Sequence, residues 1–86
     1  MEYRAALGEV LRAYREEAQL SQRALADRAV LARSYVIHIE QGERLPSFKT
    51  LARIADVLGV RMGEVLDRVD RDHPTALSAF LAALHD

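Results

Sequence analysis

Apolar residues recur along the chain with the period of an α-helix. Leu7, Val10, Leu11 and Tyr14 follow the spacing i, i+3, i+4, i+7, which places their side chains on one face of a helix. Similar stripes recur further along, and no stretch of the sequence keeps the strict alternation of a half-buried strand. The pattern predicts an all-α protein with five to six short helices. The predicted helices cover residues 3–18, 22–28, 32–41, 48–58, 62–69 and 75–85.

Residues at the predicted helix ends support these boundaries. Ser21 and Ser47 each precede a helix, where a hydroxyl can accept a hydrogen bond from the first turn. Gly42 and Gly59 follow helices and favour the left-handed conformation that ends them. Pro74 suits the first turn of the last helix.

The polar stretch 70–73 is interpreted as a connector. It divides the chain into a domain over 1–69 and a C-terminal helix within 70–86. Four large apolar residues of that last helix share one face, and they either complete the core of the monomer or form a dimer seam. They are Leu77, Phe80, Leu81 and Leu84.

Composition limits the class of protein. The chain has 86 residues, of which 50% are hydrophobic and 29% charged, as in a single small globular domain. It has no cysteine, which excludes disulfides and cysteine-based metal sites. No signal-like N-terminus and no apolar run of about 20 residues occur, so we expect a cytoplasmic protein without membrane spans.

Catalytic and cofactor chemistry is not expected. The four glycines are scattered and form no phosphate-binding loop, and no Ser-His-Asp set is identifiable. His38, His73 and His85 lack the spacing of metal ligands. We therefore predict a protein that is not an enzyme and needs no metal or cofactor.

Charge is distributed unevenly, although the net charge is only −1. Residues 4–53 carry nine basic and six acidic side chains, whereas residues 54–86 carry three basic and six acidic ones. A basic surface on the first two thirds of the chain suits a negatively charged partner, although chance alone can produce such a bias in a short chain.

The most informative stretch is 21–46, in which two short helices are joined by about three residues. Such a pair crosses steeply, and its second helix can project into the major groove of DNA, which is about 12 Å wide. The order and spacing of residues here resemble the lambda-repressor/Cro-like helix-turn-helix family, also called the xenobiotic-response-element family. The resemblance extends over about residues 7–67. It rests on Arg15, Leu20-Ser21-Gln22, Leu25-Ala26, Arg33-Ser34-Tyr35-Val36, Ile39-Glu40, Gly42, Pro46-Ser47, Leu51, Ala55 and Leu58-Gly59-Val60.

The resemblance implies a sequence-specific DNA-binding transcriptional regulator, in most cases a repressor, that acts as a homodimer on double-stranded DNA with an inverted-repeat operator. It implies that the second helix of the motif reads bases through Arg33, Ser34, Ile37 and His38. It also implies phosphate contacts from Gln22, Arg23, Tyr35, Arg44 and Lys49. A lone carboxylate at Glu40 among core residues would be costly, and the resemblance implies that Arg15 pairs with it in a structural ion pair.

Four positions depart from the family pattern. Gln19 stands where glycine often ends the first helix, and Val30 stands where glycine is common in the turn. If the backbone at Val30 needs a positive φ, a β-branched valine suits it poorly. Ala32 replaces the usual Ser or Thr cap, and Ile37 replaces a small polar residue. These departures and the low net charge leave an alternative open, in which the protein keeps the fold but serves as a protein–protein adaptor or an antitoxin-type partner-binding protein.

Overall fold

A computed structural model describes residues 2–85, and this part of the chain folds into six helices without any strand. The prediction of an all-α protein is therefore confirmed. The helices are α1 (Tyr3–Glu17), α2 (Gln22–Ala29), α3 (Arg33–Glu40), α4 (Phe48–Leu58), α5 (Met62–Asp72) and α6 (Ala76–Ala83).

The stretch 70–73 was predicted as a connector, and that interpretation is wrong for its first three residues. α5 continues to Asp72, so the predicted boundary between 69 and 70 falls inside a helix. Val69 is fully buried while residues 70–72 are exposed. Their polarity marks the solvent-facing side of the last helical turn, which Arg68 and Asp72 support as an i,i+4 pair.

α1 lies at the centre of the fold and packs against α3, α5 and α6. Gly8 permits the closest approach, because a Cβ atom there would lie 2.3 Å from the carbonyl oxygen of Ile39. The backbones of α1 and α3 therefore meet directly. The core around this contact contains buried side chains from all six helices, among them Leu11, Leu25, Ile39, Ile54, Val65 and Ala76.

Four helices end in the same way, with a residue in the left-handed conformation. In each case the amide of the residue after the left-handed one bonds back to a carbonyl of the last turn, as in a Schellman motif. These bonds join Leu20 to Arg15, Leu31 to Ala26, Glu43 to His38, and Val60 to Ala55. The left-handed residues are Gln19, Val30, Gly42 and Gly59. The chain therefore keeps the expected turn geometry even where it lacks glycine.

A clamp at the end of α1 joins this helix to α5. The Arg68 guanidinium donates to both carboxylate oxygens of Glu17, at 3.0 and 2.7 Å, and lies 4.5 Å from the centre of the Tyr14 ring. The hydrogen bonds from Arg68 hold the pKa of Glu17 below its ordinary value. No local sequence pattern predicts this contact, because its partners lie about fifty positions apart.

Candidate nucleic-acid interface

The two helices of the predicted motif present distinct inner and outer faces. Leu25 and Ala29 of α2 and Val36 and Ile39 of α3 are buried against the core. The opposite side of α3 carries three of the predicted base-reading residues in exposed positions, namely Arg33, Ser34 and His38. The fourth, Ile37, lies on the same side but is partly buried.

The orientation of α3 is fixed by a buried ion pair. Arg15 donates from Nε to Oε2 of Glu40 at 2.7 Å and from Nη2 to Oε1 at 3.0 Å. The two side chains are only 11% and 4% exposed. The third Arg15 nitrogen, Nη1, donates to the carbonyl of Leu20 at 2.8 Å. Hydrogen bonding to Glu40 raises the pKa of Arg15 in spite of the opposing effect of burial. A bidentate pair of this kind holds α1, α3 and the turn before α2 in one geometry.

Gln22 also contacts this ion pair, a contact that no local sequence pattern predicts. Its side-chain amide donates from Nε2 to Oε1 of Glu40 at 3.1 Å, so part of the side chain that was expected to face a phosphate is directed at the ion pair. Gln22 is still the first residue of α2, and the helix N-terminus remains a suitable place for an anion. The Gln22 phosphate contact stays a prediction.

The other predicted phosphate contacts differ in exposure and come from several elements. Arg23, Arg44 and Lys49 are exposed, whereas Tyr35 is partly buried. The Arg44 guanidinium lies 5.4 Å from the centre of the Tyr35 ring, within the range of a cation–π contact. Lys49 lies in the first turn of α4, which Ser47 caps by accepting the amide of Thr50 at 3.1 Å. These cations therefore come from α2, α4 and the loop that follows α3.

One acidic residue belongs to this surface and was missed. Glu43 follows α3, and its Oε1 atom lies 3.0 Å from Nδ1 of His38. The five-residue separation in sequence gives no helical reason for the contact. It depends on the chain reversal at Gly42, which adopts a φ of 78°.

The four apolar residues of the C-terminal helix behave differently from one another. Phe80 packs on Tyr3 of α1, with ring centres 5.6 Å apart. Leu77, Leu81 and Leu84 remain 40%, 48% and 66% exposed. An open groove of about 720 Å³ lies between α6, the start of α1 and the loop after α3, and Leu84 is the one of these three leucines that lines it. Its lining consists of Glu2, Arg4, Leu45, Ala79, Phe80, Ala83 and Leu84.

Two further findings concern residues 2–85. The acidic and histidine side chains form no group of three or more that could hold a metal ion. No helix in this part of the chain combines the length and apolarity needed to cross a membrane.

Comparison with known proteins agrees with the geometry. The sequence profile of the helix-turn-helix domain matches residues 6–69. The immunity repressor protein of Bacillus phage phi105 is 37% identical over 60 residues, which amount to 70% of this chain and 42% of that protein. This chain therefore spans less than half the length of that relative.

Solved structures resemble the whole fold. The clp gene regulator ClgR from Corynebacterium glutamicum superposes with a TM-score of 0.82 at 28% identity, over 98% of this chain and 87% of the other. The restriction-modification controller protein C.AhdI from Aeromonas hydrophila gives a TM-score of 0.70 at 34% identity, over 72% and 94%. The chain belongs to the helix-turn-helix domain family, and its fold is similar to that of Cro/C1-type regulators. The resemblance inferred from the sequence is confirmed.

Proposed function

We propose that this protein is a sequence-specific transcriptional repressor that inserts α3 into the major groove and binds an inverted-repeat operator as a homodimer. The observation that carries the proposal is the exposed face of α3, with Arg33, Ser34 and His38, on a helix whose inner side is fixed by the Arg15–Glu40 pair. An α-helix with its side chains is about 10–12 Å in diameter and fits a major groove about 12 Å wide.

The base-reading role rests on the chemistry of this face. Arg33 begins α3 and carries a guanidinium that can donate two parallel hydrogen bonds to O6 and N7 of guanine. Ser34 can donate to or accept from a base edge, and the partly buried Ile37 can contact a thymine methyl group. The exposed cations Arg23, Arg44 and Lys49 belong to α2, the loop after α3 and α4, and phosphate contacts from them would fix the register.

A homodimer is proposed because one α3 is too short to specify an operator. The helix has eight residues and therefore reads only a few base pairs. Two copies related by a two-fold axis would place their α3 helices in successive major grooves, about 34 Å apart. Leu77, Leu81 and Leu84 provide an exposed apolar stripe on α6, which two copies would bury against each other.

Repression is favoured over activation by the phage immunity repressor among the relatives. The proposal extends that relative's activity to a chain that matches 42% of its length. Binding of the protein upstream of a reporter gene should lower transcription, and a rise in transcription would contradict this part of the proposal.

The test is selection of binding sites from a random duplex library at two salt concentrations. We expect enrichment of an inverted repeat and an affinity that falls steeply as salt rises, because bound cations displace counterions from phosphates. Arg71→Ala serves as the matched control, since it removes an exposed cation from α5 and should leave the selected sequence unchanged. Absence of enrichment at both salt concentrations would refute the proposal and favour a partner-binding protein that keeps the fold.

A further inference from the structure

The turn after α3 brings an acidic residue back onto the proposed base-reading face. The backbone N–H of Glu43 donates to the carbonyl of His38 at 2.9 Å, and the N–H of Gly42 donates to the carbonyl of Ile39 at 3.1 Å. These two bonds form a complete Schellman motif, and they place residue 43 beside residue 38.

Packing against α1 also restrains this turn. A Cβ atom on Gly42 would lie 2.8 Å from Cα of Ala5, so α1 packs directly on the turn. The positive φ of Gly42 further restricts the position to glycine. Glu43 therefore projects from a fixed backbone, whereas an acid in a free loop would sample many positions.

The side chains complete the arrangement. Nδ1 of His38 lies 3.0 Å from Oε1 of Glu43, and the two side chains are 49% and 54% exposed. An ionised carboxylate only accepts hydrogen bonds, so Nδ1 must carry the hydrogen in this contact. The contact thus selects which ring nitrogen is protonated and limits rotation of the ring. Nε2 is left as the nitrogen that can meet DNA.

The carboxylate of Glu43 is expected to lower the overall affinity for DNA. Glu43 precedes Arg44 in the loop proposed to lie along the phosphate backbone, where a negative charge repels DNA. The position is understandable if the acid serves recognition, because like-charge repulsion acts equally on all sequences while an oriented imidazole discriminates between bases.

We propose that Glu43 is a positioning residue for sequence recognition, which orients the His38 imidazole so that Nε2 reads one base pair in each half-site. The inference rests on the proposed function and adds to it a residue outside the set expected from the family. Glu43 acts through His38 and makes no base contact of its own.

The test compares binding-site selection for the wild type, His38→Ala, Glu43→Ala and Glu43→Gln. We expect His38→Ala and Glu43→Ala to reduce the preference at the same symmetric pair of positions by about five- to tenfold, as for the loss of one hydrogen bond. Glu43→Gln should retain the preference, because its amide oxygen still accepts from Nδ1. The double variant His38→Ala/Glu43→Ala should lose no more than either single variant.

Affinity for unrelated DNA distinguishes the positioning role of Glu43 from the effect of its negative charge. Glu43→Ala and Glu43→Gln each remove one negative charge and should both raise affinity for all sequences. Asp67→Ala, which removes an exposed acid from α5, serves as the control for a distant charge. If the alanine and glutamine variants of Glu43 change base preference alike, or if Glu43→Ala keeps the wild-type preference, the positioning role is refuted.

A measurement without DNA distinguishes failure of this inference from failure of the proposed function. Imidazole ¹⁵N chemical shifts report which ring nitrogen carries the hydrogen, and His38→Ala identifies the signals of this residue. We expect protonated Nδ1 in the wild type and in Glu43→Gln, with a shift toward Nε2 protonation in Glu43→Ala. Identical spectra in all three would contradict the positioning contact, whether or not the protein selects any DNA sequence.

Discussion

Replacing Val30 by glycine is expected to stabilise the protein, because this residue ends α2 in a conformation that suits it poorly. Val30 has φ 57° and ψ 51°, in the left-handed region that β-branched residues rarely adopt. The turn nevertheless keeps its hydrogen bonds, since the Leu31 amide reaches the carbonyl of Ala26 at 2.8 Å. The surrounding structure therefore imposes the strain on Val30, and glycine can adopt the same backbone without it.

The magnitude follows from three contributions. A left-handed conformation costs an L-residue about 1–2 kcal/mol. Glycine also gives the unfolded chain more conformational freedom, which offsets about 0.4–1 kcal/mol of this stabilisation. Loss of packing is small, because Val30 is 78% exposed. The net gain should be about 1 kcal/mol, which corresponds to a rise in Tm of about 4–8 °C for a domain of this size.

Thermal and urea unfolding of Val30→Gly and Val30→Ala provide the assay. Alanine removes the β-branch but remains an L-residue, so its stability should fall between those of the wild type and the glycine variant. Gly59→Ala is the reciprocal control, since it introduces an L-residue at φ 71° with no atom within 4 Å of the new Cβ. If Gly59→Ala destabilises while Val30→Gly gives no gain, the valine makes a compensating contribution and the strain argument is wrong.

Three further predictions concern stability and assembly. Arg15→Ala should lower the free energy of unfolding by about 3–5 kcal/mol in urea titrations, because it leaves Glu40 buried without its cation. An unchanged urea midpoint would show that the ion pair does not stabilise the fold. Leu81→Asp should abolish the proposed homodimer and leave a folded monomer. Sedimentation equilibrium combined with circular dichroism would contradict the proposed α6 seam if the variant self-associates as the wild type does. Arg68 lowers the pKa of Glu17, so the stabilisation is complete above the ordinary value of 4.5 and is lost as pH falls through the lower folded value. The Tm difference between the wild type and Glu17→Gln should accordingly be present at neutral pH and vanish in strong acid, and a difference that persists in acid would exclude this linkage.

Local sequence rules predicted the helices well where caps and periodicity agree. Ser47 and Gly59 bound α4 over the range predicted. The end of α5 was missed because residues 70–72 are polar on every side, and polarity alone does not distinguish an exposed last turn from a connector. The i,i+4 spacing of Arg68 and Asp72 was a local sign that the helix continues through this stretch.

In the candidate site, some contacts could be predicted from the sequence and others could not. Arg15 and Glu40 could be expected to pair because a carboxylate among core residues requires a cation. The contribution of Gln22 and the contact between Glu43 and His38 depend on how turns orient side chains in space. The sequence pattern on α6 likewise showed an apolar face but could not separate Phe80, which packs on α1, from the leucines that remain exposed.

The most direct measurement of α3 as the reading element is binding-site selection with Arg33→Ala beside the wild type. Arg33 is exposed in the first turn of α3. If it reads a base, its loss should weaken binding to the selected operator by about 1–3 kcal/mol and relax the preference at one symmetric pair of positions only. A uniform loss across all sequences would make Arg33 a phosphate contact, and a wild-type protein that selects no sequence would contradict DNA reading by this helix altogether.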